Sequence, residues 1–174
     1  AWSMGDLFGA EVVRVTDTAV LQASMEALRE PVRVKGGVQG SGSVYVIDNN
    51  ADTALVTLRY ALKGADIDVA DKGFEAVNRH FNAVALIVRK VDNAAFSTKV
   101  NELGLEAHAL SAAPDVPMHR LGMPRIALMH TWIETQTEGW WRMALDKLGV
   151  PFTYISTQTV AREDNLKSKY DVIL

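Results

Sequence analysis

The sequence predicts a doubly wound α/β fold with a mostly parallel sheet. Short apolar runs alternate with helical patterns along most of the chain, as in proteins built from βαβ units. The run 83–89 (AVALIVR) is continuously apolar, which is typical of a strand buried on both faces. Residues 124–156 show a strand, a polar turn, a helix and a second strand, which is one βαβ unit. Strands separated by single helices are usually parallel, with right-handed crossovers.

Composition limits the class of protein. The chain has 174 residues, 48% of them apolar and 22% charged, which fits one globular α/β domain over 1–174. The 14-residue loop 111–124 is long enough to be an internal linker. A net charge of -3 without a basic run argues against nucleic acid, and no apolar run nears the roughly 20 residues of a membrane span. The absence of cysteine excludes disulfides and thiol nucleophiles.

The first half of the chain alternates between β-like and helical patterns. The predicted elements are strands at 11–16, 31–38, 44–48 and 67–70, helices at 18–29 and 51–62, and a short helix or turn at 71–80. In the first helix, Leu21, Met25 and Leu28 fall on one face. The glycines in 36–43 precede a strand and lack the Lys-Ser/Thr of a phosphate loop, so we interpret them as a flexible hairpin or bulge.

The second half continues the alternation. Its predicted strands lie at 83–89, 105–110, 125–130 and 170–174, and a further strand ends at 156. Its predicted helices lie at 92–103 and near 159–166, and a third begins at 135. Gly104 ends the helix 92–103. Thr135 and Glu138 have the spacing of a capping box. On the helix that they open, we expect Trp140 and Trp141 to pack in the core.

The two ends of the chain indicate a fragment of a longer protein. The chain begins with Ala1, shows no signal peptide, and ends in an apolar strand-like run at 170–174. An unpaired apolar strand invites pairing with a second copy, so a homo-oligomer is expected.

The candidate ligand-binding residues follow the strand 125–130, because ligands of open α/β sheets bind at the carboxyl ends of strands. They are His130, Thr131, Trp132, Gln136, Glu138 and Arg142, with Glu134 in the same segment. His130 is either a site residue or a hydrogen-bonded structural histidine. Glu138 and Arg142 either contact the ligand or form an i,i+4 surface ion pair.

The sequence gives little support for a metal site, a catalytic serine or a second ligand site. His130 and Glu134 have H-x-x-x-E spacing, and His80, His108 and His119 lie in other elements, so no metal site is predicted. No serine lies in a G-x-S-x-G elbow, so no catalytic residue is assigned. The segment 48–50 (Asp-Asn-Asn) either caps the next helix or contacts a ligand.

Four sequence blocks carry a family resemblance that covers nearly the whole chain. They are PRIALMHTWIETQTEGWWRMALDKLGVPFTYIS, NLKSKYDVIL, AWSMGDLFGAEVVRV and SVYVIDNNADTALVTLRYAL. This sequence resembles the carboxyl-terminal region of secreted bacterial zinc carboxypeptidases related to carboxypeptidase A. In that family the catalytic domain precedes a domain similar to class I glutamine amidotransferases, which implies a flavodoxin-like fold here.

The resemblance implies an accessory role. In the family the zinc ligands belong to the preceding domain, so zinc is expected only there and no cofactor is expected in this chain. An amidotransferase cysteine is absent as well, and FNAVAL at 81–86 lacks the small-residue turn of relatives. The expected function is a non-catalytic domain of a secreted or periplasmic peptidase, which packs on the catalytic domain or binds a ligand. The alternative is a small α/β enzyme or a sugar- or nucleotide-binding domain that uses His130 and Gln136.

Overall fold

A computed structural model of the chain describes residues 5, 11–30, 32, 34–133 and 135–174. The strands are β1 (Gly37–Gly40), β2 (Val44–Ile47), β3 (Asp66–Ala70), β4 (Phe74–Ala76), β5 (Arg79–Phe81), β6 (Leu86–Arg89), β7 (Glu106–Leu110), β8 (Met118–Arg120), β9 (Ile126–His130), β10 (Phe152–Ser156) and β11 (Val172–Ile173). The helices are α1 (Ala54–Ala61), α2 (Asn93–Glu102), α3 (Thr135–Leu148) and α4 (Thr157–Arg162), with 3-10 turns at Thr18–Gln22 and Leu166–Ser168.

The first sheet has six strands in the order β1-β7-β2-β6-β3-β8. Only β1 and β7 pair in parallel, and the other neighbours are antiparallel. Because β2 and β3 both run antiparallel to β6, they are parallel to each other without being neighbours. Strands β6 and β7 flank β2 and both run antiparallel to it, so they are also parallel to each other without being neighbours. The order β7-β2-β6-β3 with helices α1 and α2 is therefore the split βαβ arrangement, β-α-β-β-α-β.

The predicted doubly wound, mostly parallel, flavodoxin-like fold is wrong. Helices do join parallel strands, but an antiparallel strand lies between the two strands of each pair. The cause is the segment 71–85, where the predicted short helix or turn is replaced by the hairpin β4–β5. Without a crossover helix between them, β3 and β6 pair antiparallel.

Alternating side chains in the central strands pack against different layers. Tyr45 and Ile47 of β2 pack against the helices, in a cluster that includes Leu58 of α1 and Phe96 of α2. Val44 and Val46 lie in the opposite cluster, with Phe81 of the hairpin. Each large apolar side chain buried this way contributes about 1.5–3 kcal/mol. The prediction of a strand buried on both faces at 83–89 is confirmed only for β6, where Leu86, Ile87 and Val88 are buried, whereas Ala83 and Val84 form an exposed turn.

Two glycines in the segment 36–43 allow close backbone approach. A β-carbon at Gly36 would lie 2.3 Å from the carbonyl oxygen of Val100, and one at Gly42 would lie 1.9 Å from that of Leu110. Strand β7 separates β1 from β2, so these strands do not form the predicted hairpin. Gly36 instead lets the chain pass close to the end of α2, and Gly42 lets it pass close to the end of β7.

The elements predicted before residue 31 do not form. Residues 11–16 are not a strand, and of the helix predicted at 18–29 only the 3-10 turn Thr18–Gln22 is present. The side chains predicted to form the apolar face of this helix are exposed to solvent: Leu21 is 73%, Met25 80% and Leu28 76% exposed. A short amphipathic helix needs a surface to pack on, and the described part of the chain provides none for this segment. Pro31 and Arg33 of the strand predicted at 31–38 lie outside the described residues.

The second sheet contains three parallel strands in the order β10-β9-β11. The βαβ unit predicted from 124 to 156 is confirmed: β9 and β10 pair in parallel, from Ile126 opposite Phe152 to His130 opposite Ser156, and α3 joins them. Helix α4 begins at Thr157, where Ser156 and Thr159 form a capping box. Among the described residues, no helix is long and apolar enough to cross a bilayer.

A salt bridge holds β11 to β9. The Arg125 guanidinium donates to both carboxylate oxygens of Asp171, at 3.0 and 2.9 Å, and the Arg125 amide donates to the same carboxylate at 2.7 Å. Arg125 also donates to the carbonyl of Ser168 at 2.5 Å. The hydrogen bonds from Arg125 lower the pKa of Asp171 from 3.8 to about 2. Such bidentate pairs fix geometry as well as charge.

We predict that Asp171→Asn loosens β11. The Leu174 amide donates to the carbonyl of Ala127, and the Met129 amide donates to that of Leu174, so both amides should exchange about tenfold faster by hydrogen exchange. Because the folded pKa of Asp171 is depressed, its contribution is complete above pH about 4 and is lost as the pH falls towards about 2. Asp164→Asn, at an exposed bend, is the matched control. Equal exchange in both variants would contradict this role.

Candidate functional site

The candidate site lies at the carboxyl ends of β9 and β10. His130 is the last residue of β9, opposite Ser156 in the parallel register, and Tyr154 lies two residues earlier on the same face of β10. Glu138 lies in the first turn of α3. The βαβ connection therefore brings an imidazole, a phenol and a carboxylate together at one edge of the sheet.

Glu138 is the centre of this cluster. One carboxylate oxygen accepts a hydrogen bond from Nδ1 of His130, and the other accepts one from the Tyr154 hydroxyl. The side chains of His130 and Glu138 are only 17% and 10% exposed. An ionised carboxylate can only accept, so the Nδ1 atom of His130 must carry the proton. In neutral His130 the lone pair is therefore on Nε2, and the imidazole is oriented as a hydrogen-bond acceptor.

The pKa values of the acid and the phenol are shifted in opposite directions. The hydrogen bond from His130, followed by that from Tyr154, lowers the pKa of Glu138 below its ordinary value. The hydrogen bond to Glu138 is also the main reason why the pKa of Tyr154 is raised. The carboxylate and the neutral phenol thus stabilise each other across the neutral pH range.

Trp132 is held in an unusual conformation beside this cluster. Its φ of 67° lies in the left-handed region, which is rare for a bulky residue and costs about 1–3 kcal/mol. Its indole packs edge-on against the His130 ring, with 4.3 Å between centroids, and its Nε1 atom donates to Gln158 Oε1 at 3.3 Å. The tryptophan therefore presents a largely exposed indole ring next to His130.

The structure brings together most of the predicted site residues. His130 contacts both Trp132 and Glu138, and the Arg142 guanidinium lies 5.1 Å from the centroid of the Tyr154 ring. Thr131 is partly buried between His130 and Trp132. Gln136 is exposed on the first turn of α3, and no described contact joins it to His130. Glu134 lies outside the described residues.

Two predictions about α3 are wrong. The helix starts at Thr135, and the two carboxylate oxygens of Glu138 bond to His130 and Tyr154. Thr135 and Glu138 therefore do not form the predicted capping box. Trp140 and Trp141 are 60% and 45% exposed, and only Leu145 of α3 is buried. A sheet of three strands offers this helix too little surface to bury both tryptophans.

Sequence reasoning missed Tyr154 and Gln158. Tyr154 could have been found from the strand period, because residues two apart on a strand share a face and Ser156 is aligned with His130. Gln158 lies in α4 and reaches Trp132 through a loop conformation that no sequence pattern indicates.

The other three histidines differ from His130 in their surroundings. Each pairs with one carboxylate: His80 with Glu75, His108 with Glu106 and His119 with Asp71. In each of those pairs at least one side chain is more than 40% exposed. Within the described residues, no group of three or more His, Asp or Glu is placed to hold a metal ion. In the segment 48–50, Asn49 and Asn50 accept from the amides of Ala51 and Asp52, and Asp48 accepts from the backbone and side-chain amides of Asn82.

We predict that Glu138→Gln lowers the pKa of Tyr154. The chain has four tyrosines, so the Tyr154 titration is obtained as the ultraviolet difference between each protein and its Tyr154→Phe counterpart. In the wild type this phenol should ionise above its ordinary pKa of 10.0, and in Glu138→Gln it should return towards that value. Glu163→Gln is the control. An unchanged Tyr154 titration in Glu138→Gln would show that the two groups are not bonded.

No family model matches the chain, and comparisons with curated proteins and with solved structures find none that is similar to it. The resemblance to peptidase accessory regions therefore remains a prediction. Any function has to be argued from the described residues themselves.

Proposed function

We propose that this chain is a non-catalytic accessory domain that binds a small polar ligand at the His130–Glu138–Tyr154 cluster. The observation that supports it most is the partly buried His130–Glu138 pair at the carboxyl end of β9. A carboxylate fixes the His130 ring there, and in the described part of the chain no hydrogen bond engages Nε2. An accessible acceptor that no described residue engages is suited to a hydroxyl or amide donor of a ligand.

The surroundings favour a neutral, hydroxylated ligand such as a sugar or a nucleoside. The exposed indole of Trp132 offers a flat apolar face beside the Nε2 acceptor. Arg142 over the Tyr154 ring supplies a donor at the rim. Binding requires no nucleophile, and none of the described contacts places a serine or threonine hydroxyl on His130.

Packing against a catalytic domain is the second candidate function. The exposed Trp140, Trp141 and Met143 on α3 favour it, because tryptophan and methionine are enriched in interfaces. In this proposal, which rests on the family resemblance, the partner is the zinc-carboxypeptidase domain of a parent protein in a secreted or periplasmic setting. The two functions are compatible, since α3 contributes Glu138 to the cluster and its tryptophans to the surface.

We predict that His130→Asn separates binding from stability. The asparagine amide can replace Nδ1 as donor to Glu138 but has no counterpart of Nε2. The melting temperature should therefore stay near that of the wild type, while affinity for a sugar or nucleoside found by thermal-shift screening falls roughly tenfold. His130→Ala should lose both binding and about 1–3 kcal/mol of stability, since it leaves Glu138 short of a donor.

His119→Asn is the matched control, because Nδ1 of His119 also bonds to a carboxylate, that of Asp71. It should bind the ligand like the wild type. A His130→Asn variant that binds normally would refute the ligand site and leave the packing function. The ligand panel should contain monosaccharides, nucleosides and amino acids.

We also predict that the purified chain removes no carboxyl-terminal residue from model peptides and holds no stoichiometric zinc. Peptidase zinc needs three protein ligands, and in the family that this sequence resembles they lie in another domain. Elemental analysis and peptide assays with added zinc test this. One tightly bound zinc per chain would overturn the assignment.

A further inference from the structure

A cavity of about 660 Å³ opens at the edge of the second sheet opposite the His130 cluster. Arg125 and Pro151, which precede β9 and β10, lie at its border, and Tyr60 and Lys63 reach it from the end of α1. The volume falls within the range of roughly 300–1,000 Å³ typical of small-molecule sites. The cavity shares no residue with the cluster.

The walls of this cavity are mainly apolar and aromatic. They include Tyr60, Pro124, Ile126, Pro151, Phe152 and Tyr170. Rings and prolines give flat, rigid surfaces that lose little conformational entropy when they contact a planar ligand. The shape and lining therefore favour an aromatic molecule over an extended polar one.

The charges around the cavity are all positive. Lys63, Arg125 and Lys169 line it, and no carboxylate does. Two of these cations are neutralised from outside, Arg125 by Asp171 and Lys169 by Glu163 at 2.6 Å. Within the described residues, Lys63 forms no ion pair. Its charge is the one that a ligand can complement.

Tyr60 adds a hydrogen-bond donor close to Lys63 in the chain. Burial raises the pKa of its phenol, so the hydroxyl keeps its proton well above neutral pH. No described hydrogen bond engages this hydroxyl. Tyr60 and Lys63 line the same cavity, and no described residue bonds to the polar end of either, so the two can recognise one anionic oxygen.

We propose that this cavity binds a small aromatic monoanion, such as a carboxylate or sulfonate. The aromatic body lies between Phe152, Tyr170 and the prolines, and the anionic group pairs with Lys63 and accepts from Tyr60. The site is independent of the His130 cluster and of the proposed accessory function.

Two fluorescent probes that differ by one charge test the proposal. 8-Anilinonaphthalene-1-sulfonate carries the anion, and N-phenyl-1-naphthylamine has the same rings without it. The wild-type chain should bind the sulfonate with 1:1 stoichiometry and roughly tenfold more tightly than the neutral probe. Lys63→Met should remove that preference while leaving neutral-probe affinity unchanged. Tyr60→Phe should weaken sulfonate binding in the same direction.

Lys147→Met is the matched control, since this exposed lysine of α3 lies outside the cavity. It should behave like the wild type. Amide chemical shifts on sulfonate addition should change at Thr153, Lys169 and Tyr170. The proposal fails if both probes bind equally, if Lys63→Met binds the sulfonate like the wild type, or if the shifts move at the α3 tryptophans instead.

Discussion

Burial of both faces of β2 and β6 is the constraint on which the rest of the structure depends. These strands have antiparallel neighbours on both edges, helices on one face and the β4–β5 hairpin on the other. Val46, Ile87 and Val88 are fully buried as a result. The sheet positions α1, and through Tyr60 and Lys63 this helix forms part of the cavity beside the second sheet. Among the described residues, the second sheet, with three strands, has no comparable core cluster.

The second sheet instead relies on polar interactions at its two ends. At the amino-terminal edge, Arg125 joins β9 to Asp171 just before β11. At the carboxyl-terminal edge, Glu138 joins β9 to α3 and β10 through His130 and Tyr154. Each cluster orients side chains that border a candidate site. The small apolar core of this sheet explains why charged groups have such prominent structural roles.

Local patterns in the sequence were sufficient to predict the βαβ unit and the position of His130. The continuous apolar run also predicted β6, and Gly104, with φ of 67°, correctly marked the end of α2. The sheet order could not be predicted, because strand neighbours depend on the chain reversal at 71–85, where Phe74 and Phe81 stack across a hairpin. Leu21, Met25 and Leu28 have the period of a helix, but no helix forms over 23–29, because the described residues provide no surface for them to pack on.

Glu138 shows why a motif does not determine the role of a side chain. Its spacing from Thr135 suits a capping box, and its spacing from Arg142 suits an ion pair, but the parallel register of β9 and β10 offers two better donors. The depressed pKa of Glu138 means that its bonds stabilise the fold at neutral pH and are lost as the pH falls through that pKa. The raised pKa of Tyr154 means that its bond persists below its unfolded pKa and is lost as the pH rises through the folded one. Between these limits the carboxylate stays an acceptor, Nδ1 of His130 stays protonated, and Nε2 stays directed away from Glu138.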